Sequence, residues 1–296
     1  MLNTLSRISL ITPLGLIYDL NDQGFYLTDS SDGLGMAPFH RLAERSSQQH
    51  GETDLGFRLD PRTFKFQLTL RAATPTLYYA RRAELLTIFR PSDTPFVLQF
   101  TLPDGSIRCI DCFLEKGLTF DTAKRKALTQ EAELVLRAPD PTFYDPAMKT
   151  LALSWNDAQG LRFPFTFPLV FGTDSATILS LITLTGTWLS YPKIIIYGPV
   201  DWPWVVNNTT GEVLLLQYSI SAGESVTIDT AFGYKTVKNN SNVNLINYLS
   251  TISDLATFHL DHELRAGDNE LSIAGAAIDP LQTQILFEYY ERYIGI

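Results

Sequence analysis

The second half of the chain is built from short apolar runs that alternate with polar residues and end at glycine, proline or asparagine, a pattern that restricts it to strands. Such runs span Ala176 to Leu189, Lys193 to Tyr197, Glu212 to Ile220 and Glu224 to Ile228. Alternation with a period of two sends successive side chains to opposite faces of a sheet. Regular short strands separated by turn residues predict an antiparallel β-sandwich. From Ile285 onward, Ile285, Phe287 and Tyr289 share one face and Leu286, Glu288 and Tyr290 the other. Apolar bulk on both faces predicts a strand inside the sandwich, with 264–296 closing it. Gly267, Asp268 and Asn269 sit just before the alternating Leu271 and Ile273 as a tight connection.

The first half reads differently. Strands are predicted over Ile8 to Leu20 and Gly24 to Thr28, interrupted by Pro13, Gly15 and the Asn21 to Gly24 turn. Ser30 to Leu59 is polar, without sustained periodicity, and long for a loop inside a compact domain. After a strand over Phe64 to Arg71, Tyr78, Leu85, Ile88 and Phe89 fall at helical spacing, and Pro91 ends that helix. Strands follow over Phe96 to Leu102, Ser106 to Lys116 and Ala132 to Leu136. A small barrel or sheet with one packed helix fits this order. Three prolines within Arg137 to Pro146 mark a junction, giving domains 1–140 and 141–296.

A chain of 296 residues exceeds what one core usually organises, which supports two domains. With 45% hydrophobic and 19% charged residues it is globular. The N-terminal stretch carries Arg7 and is broken by Pro13 and Gly15, so neither signal peptide nor anchor is expected. The richest apolar run, Phe163 to Phe171, is short and contains Pro164 and Pro168, so no membrane span is expected.

Cys109 and Cys112 form a CxxC inside a strand-like stretch. Three strand residues span roughly 10 Å, beyond the roughly 7 Å that a disulfide tolerates between Cα atoms. No second CxxC or nearby histidine completes a zinc site, so buried free thiols are expected. Common nucleotide, esterase and zinc-protease motifs are missing. His259 and His262 around Asp261 would point to opposite faces of a strand, against shared metal ligation. His40 and His50 lie in the polar loop, where solvent exposure is expected. Trp188, Tyr191, Tyr197, Trp202 and Trp204 cluster as a sugar-stacking face would, but in strands this dense most aromatics fill the core. Asn207 to Thr210, followed by Gly211, reads as turn chemistry rather than a glycosylation site, and Lys124 to Lys126 as a solvated turn in an acidic chain. No catalytic, cofactor-binding or metal-ligating residue is assigned, and no enzyme is expected.

Five segments in fixed order carry a resemblance: PKIIIYGPV from Pro192, NNTTGE from Asn207, AGESVTIDT from Ala222, GDNELSI from Gly267 and YYERYIGI from Tyr289. Together they resemble the C-terminal half of phage distal tail proteins, hub proteins at the tip of long non-contractile tails. The first half is similar more loosely, through its junction, helix and strand order. The resemblance implies a ring-forming N-terminal domain, with Ser30 to Leu59 as a belt on the neighbouring subunit, and a galectin-like C-terminal β-sandwich. It further implies a homo-hexameric ring joining the major tail tube protein to tail-associated tip and receptor-binding proteins. Its location would be the virion's distal tail tip, after assembly in the bacterial cytoplasm, with no membrane contact and DNA only passing through the lumen. Two other readings are a carbohydrate-binding module using the sandwich and a cell-wall hydrolase.

Overall fold

A computed structural model describes residues 7–20, 25–120, 126–155, 178–261 and 267–296. The chain divides into two compact units, Met1–Pro146 with Tyr293–Ile296, and Ala147–Arg292.

The first unit is one curled sheet around a helix. Its strands are β1 (Arg7–Ile11), β2 (Ile17–Asp19), β3 (Phe25–Asp32), β4 (Phe39–Glu44), β5 (Thr53–Leu59) and β6 (Arg62–Arg71). Helix α1 (Pro75–Ile88) precedes β7 (Phe96–Thr101), β8 (Ile107–Phe120), β9 (Thr129–Ala138) and β10 (Phe143–Tyr144). The sheet runs β2-β1-β7-β8-β9-β6-β3, while β4 and β5 form a separate hairpin. Curling originates in β8, whose first part pairs with β7 and whose second part pairs with β9. Register shifts after Leu114 and Lys116 bend it between the two, as bulges do.

Phe64, Phe66, Leu68 and Leu70 on β6 alternate inward and meet Phe96, Leu98 and Phe100 from β7. Thr74 caps α1 by accepting from Leu77 N, and Pro75 opens its first turn. Tyr78, Leu85 and Ile88 bury the helix against this core, and the Tyr78 hydroxyl donates to buried Gln130 on β9.

The second unit is the expected sandwich. One sheet contains β11 (Lys149–Ser154), β13 (Lys193–Tyr197), β17 (Ser225–Asp229), β18 (Thr236–Asn239) and β20 (Gln284–Tyr289), in the order β11-β20-β13-β17-β18. The other contains β12 (Ile178–Thr183), β14 (Val200–Asn207), β15 (Glu212–Leu215) and β19 (Asp268–Ala276), in the order β12-β19-β14-β15, with β16 (Ser219–Ile220) paired to β14. Ile194, Ile196, Val226, Ile228, Ile285 and Phe287 from the first sheet pack with Val205, Leu271 and Ile273 from the second.

Polar groups fix the turns of this sandwich, and each comes from one of the recognisable segments. Buried Asn207 donates from Nδ2 to the His259 carbonyl and to Asn269 Oδ1, while its own Oδ1 accepts from Thr209 N. Asn269 donates in turn to the Asp261 and Gly267 carbonyls and accepts from Asp261 N. Gly267 adopts φ 84°, and a Cβ there would lie 2.3 Å from the Leu184 carbonyl oxygen. Glu224 collects Ser221 N, the Tyr218 hydroxyl and Asn239 Nδ2. Burial alone would raise its pKa, but these hydrogen bonds outweigh burial and lower it. Thr230 Oγ1 donates to the Pro192 carbonyl at 2.7 Å. Buried Glu291 accepts from Lys149 Nζ, Thr185 N and Gly186 N.

Two expectations are corrected here. Ser30 to Leu59 is not a structureless loop: it contains the β4–β5 hairpin. The sequence segment expected to end in the sandwich leaves it after Arg292, and Tyr293–Ile296 belong to the first unit. The segments Phe163 to Phe171 and Lys124–Arg125, and residue His262, lie outside the described residues.

Candidate functional site

The hairpin pairs Phe39 with Leu59, His40 with Arg58 and Arg41 with Phe57, then shifts register before Ala43 meets Asp54. Every β4 residue is exposed, and β5 has no buried residue. Phe39 and Phe57 are each 52% exposed, their rings edge to face at 6.2 Å, with Leu42 and Leu55 also open to solvent. Arg41 pairs with Asp54 at 2.5 Å across the strands. His40 and His50 are exposed as well. An isolated two-stranded ribbon is at best marginally stable in water, and apolar side chains as exposed as these suit contact with a second surface.

The hairpin is held at its base. Asp60 N donates to the Pro38 carbonyl, Ala37 N to the Ile294 carbonyl and Ile296 N to the Leu34 carbonyl. Arg62, only 1% exposed, follows directly on the hairpin's return. A second exposed apolar cluster, Leu14, Leu16 and Ile17, lies at the β1–β2 turn. It sits at the opposite end of the strand order from β3, the strand that leads into the hairpin.

On the sandwich, Trp202 and Trp204 are 64% and 43% exposed, which overturns their expected place in the core. Two residues of β14, Trp202 and Pro203, oppose Gly275 alone where the register shifts between Asp201 and Trp204. Trp202 takes φ 51° at this bulge, Pro203 turns inward, and both indoles face out. Leu179 and Leu181 on β12 are exposed in the same sheet.

His259 lies in a loop, next to an isolated bridge from Leu260 to Ser190. Its Nδ1 is 3.2 Å from Glu212 Oε2 and its Nε2 3.6 Å from Asp261 Oδ2. Burial alone would lower its pKa, but the Glu212 hydrogen bond, the Thr257 carbonyl and both carboxylate charges outweigh burial and raise it. This loop also covers the edge of β15: Asp254 Oδ2 accepts Val213 N, Ser253 Oγ accepts Leu215 N, and Glu212 Oε2 accepts His259 N. The cluster therefore does edge-strand protection. Among the described residues no group of three or more His, Cys, Asp or Glu side chains is placed to hold a metal. Cys109 and Cys112 are free and buried. Burial, helped by Asp111 and Asp145, pushes the Cys109 thiol up to about 11, and burial also pushes Cys112 up, away from reactive thiolate. No described helix is long and apolar enough to cross a membrane.

Sequence reasoning missed the hairpin and the role of residues 293–296. The hairpin's signal was weak because neither face is buried. For the terminal segment, Gly295 was the available clue: a glycine after an aromatic strand marks close backbone approach, here to Gly35.

The family described as siphovirus-type tail component, C-terminal domain, matches residues 185–293, and the phage tail protein RIFT-related domain matches residues 17–136. Among solved structures, the chain is similar to the Dit (gp 19.1) protein of phage SPP1, described as a paradigm of the hub adsorption apparatus in phages infecting Gram-positive hosts. Identity is 13% over 96% of this chain and 98% of that one, with a TM-score of 0.64. It is also similar to chains from the activated baseplate of phage P2 with Ca, at 10% identity over 99% of this chain and 100% of that one and a TM-score of 0.50. The corresponding Sr structure gives 10% identity over 97% and 98% of the two chains, with a TM-score of 0.51. No curated protein matches the chain. With the two domain matches falling in order on the curled sheet and the sandwich, the chain belongs to the siphophage distal tail protein family.

Proposed function

We propose that this protein is the hub of a siphophage tail tip, in which copies associate through the first unit into a hexameric ring joining the tail tube to the tip proteins. The carrying observation is the β4–β5 hairpin, which exposes Phe39 and Phe57 on a ribbon that covers no core. An apolar projection at one end of the strand order and an apolar cluster, Leu14, Leu16 and Ile17, at the other suit head-to-tail association. Such heterologous contacts close into rings when the rotation allows. Permanent contacts of this kind commonly bury more than about 2,000 Å². The hairpin is then the belt laid on a neighbour.

A formal charge of -9 per chain gives six copies 6 × -9 = -54. An acidic lumen of that kind would repel phosphate and pass DNA without retaining it. Assembly in the host cytoplasm, delivery to the virion's tail tip, and attachment of receptor-binding protein belong to the same reading. The deciding experiment replaces Arg41–Arg58 by a short Gly-Ser turn and compares negative-stain images with those of the unaltered protein. A folded monomer is expected where the unaltered chain forms rings with a central hole; rings from the shortened protein would overturn the belt assignment.

A second reading, saccharide binding by the sandwich, is favoured by the outward Trp202 and Trp204, since exposed indoles stack on sugar rings. Glycan-array binding by the full chain that disappears in Trp202→Ala and Trp204→Ala would support it, and a blank array would end it.

A further inference from the structure

Arg62 is a buried cation whose hydrogen bonds among the described residues all go to carbonyl oxygens. Its Nε donates to Pro141 at 2.9 Å, Nη1 to Gly33 and Gly35, and Nη2 to Ile294 at 2.7 Å. The guanidinium also lies 4.7 Å from the Phe143 ring centroid. Burial lowers its pKa from 12.5 to about 10, so the charge persists at neutral pH. These carbonyls come from three segments far apart in sequence, and only a planar fork of five N–H donors reaches them together.

Two of the carbonyls, Gly33 and Gly35, lie on the stretch that enters the hairpin. That stretch is flanked on its other side by residues 294–296, through Ala37 N to Ile294 O at 3.2 Å and Ile296 N to Leu34 O at 3.1 Å. The Ile294 carbonyl thus serves both Arg62 and Ala37. Gly295 permits this approach, because a Cβ there would fall 2.9 Å from the Gly35 carbonyl oxygen. Tyr293 is fixed in turn, its ring 3.5 Å beneath the Arg108 guanidinium. Beyond this base the hairpin buries no side chain, so its direction is set where it leaves the unit.

We propose that Arg62 and residues 293–296 form a lock that fixes the direction of the β4–β5 hairpin and holds it ready for a neighbouring copy. Arg62 is a positioning residue for assembly: it touches no neighbour itself and acts through the backbone of residues 33–35. The assembly half of this inference rests on the hub reading; the ordering half does not.

Hydrogen–deuterium exchange of the full chain separates the two. Arg62→Lys keeps the charge but loses the fork, and Gly295→Val pushes residues 294–296 from 34–37. Both should speed exchange over residues 33–60 by roughly tenfold or more, the scale of one lost charge-assisted hydrogen bond. Sandwich peptides within 178–289 should stay at the unaltered rate, and rings should vanish from negative-stain images. Unchanged exchange over 33–60 in both variants would overturn the lock, as would faster exchange accompanied by rings at the usual protein concentration. If Arg62→Lys also loosens the sandwich peptides, Gly295→Val decides. An unaltered protein that forms no rings would instead remove the hub reading, leaving exchange alone to judge the lock.

Discussion

Asn207 donates its side-chain amide to the side-chain oxygen of Asn269 at 3.1 Å, with both residues fully buried between two turns of the sandwich. The pair joins NNTTGE to GDNELSI, which are 62 residues apart in sequence. Each amide also satisfies backbone groups that would otherwise be buried without partners, so the two turns are fixed together. Asn269→Ala should cost about 2–3 kcal/mol in denaturant unfolding, the usual penalty for orphaned buried polar groups. Adding Asn207→Ala should cost less than the sum of the two single changes by more than about 0.5 kcal/mol. Strict additivity would mean that the amides act separately.

The hairpin's aromatic pair should matter for assembly and little for the monomer. Phe39→Asp with Phe57→Asp is expected to change monomer stability by no more than about 0.5 kcal/mol, as exposed positions do. Light scattering should then show a monomer where the unaltered protein is oligomeric. A large loss of stability would mean that the pair supports the fold of its own chain rather than assembly.

Stability should depend on pH through His259. Its pKa lies above the ordinary 6.5 when folded, so protonated His259 stabilises the fold fully below about 6.5, and that contribution fades as pH rises through the folded value. The lost contribution should be on the order of 1 kcal/mol for a partly buried pair. Glu212 behaves oppositely: burial would raise its pKa, the His259 contacts lower it, and its contribution, present above about 4.5, fades as pH falls through the folded value. His259→Gln should flatten the stability curve above pH 6.5; an unchanged slope there would show that the cluster does not couple to folding.

Cys109 and Cys112 should resist thiol reagents in the folded protein at pH 8 and react promptly in denaturant, releasing two equivalents per chain. Rapid labelling of the native protein would contradict their burial.

Where one face of a strand is buried, its pattern could be read directly. Phe64 to Arg71, Lys193 to Tyr197 and Glu224 to Ile228 alternate because inward positions must be apolar, and α1 was visible because Tyr78, Leu85 and Ile88 recur at helical spacing. The β4–β5 hairpin escaped this logic because solvent meets both its faces, leaving nothing to select an alternation. Trp202 and Trp204 escaped for a different reason. One bulge resets which side of β14 faces the core, and a two-residue period cannot foresee it. Arg62 gave no sign at all: a lone arginine at a strand's start usually points to water, and only the tertiary gathering of four carbonyls explains its burial. Four of the five recognisable segments carry a buried polar side chain, Asn207, Thr230, Asn269 and Glu291, and a turn held by a specific side chain is constrained more tightly than an apolar strand.

The first unit is assembled from two stretches of sequence, Met1–Pro146 and Tyr293–Ile296, so the sandwich is in effect an insertion within it. Translation runs from the N-terminus, and residues 293–296 emerge only after the whole sandwich has been made. Synthesis order therefore makes the first unit, begun first, the last to be completed. A polypeptide interrupted anywhere in the sandwich lacks the Ile294 carbonyl to which Arg62 donates, and its first unit stays without that contact.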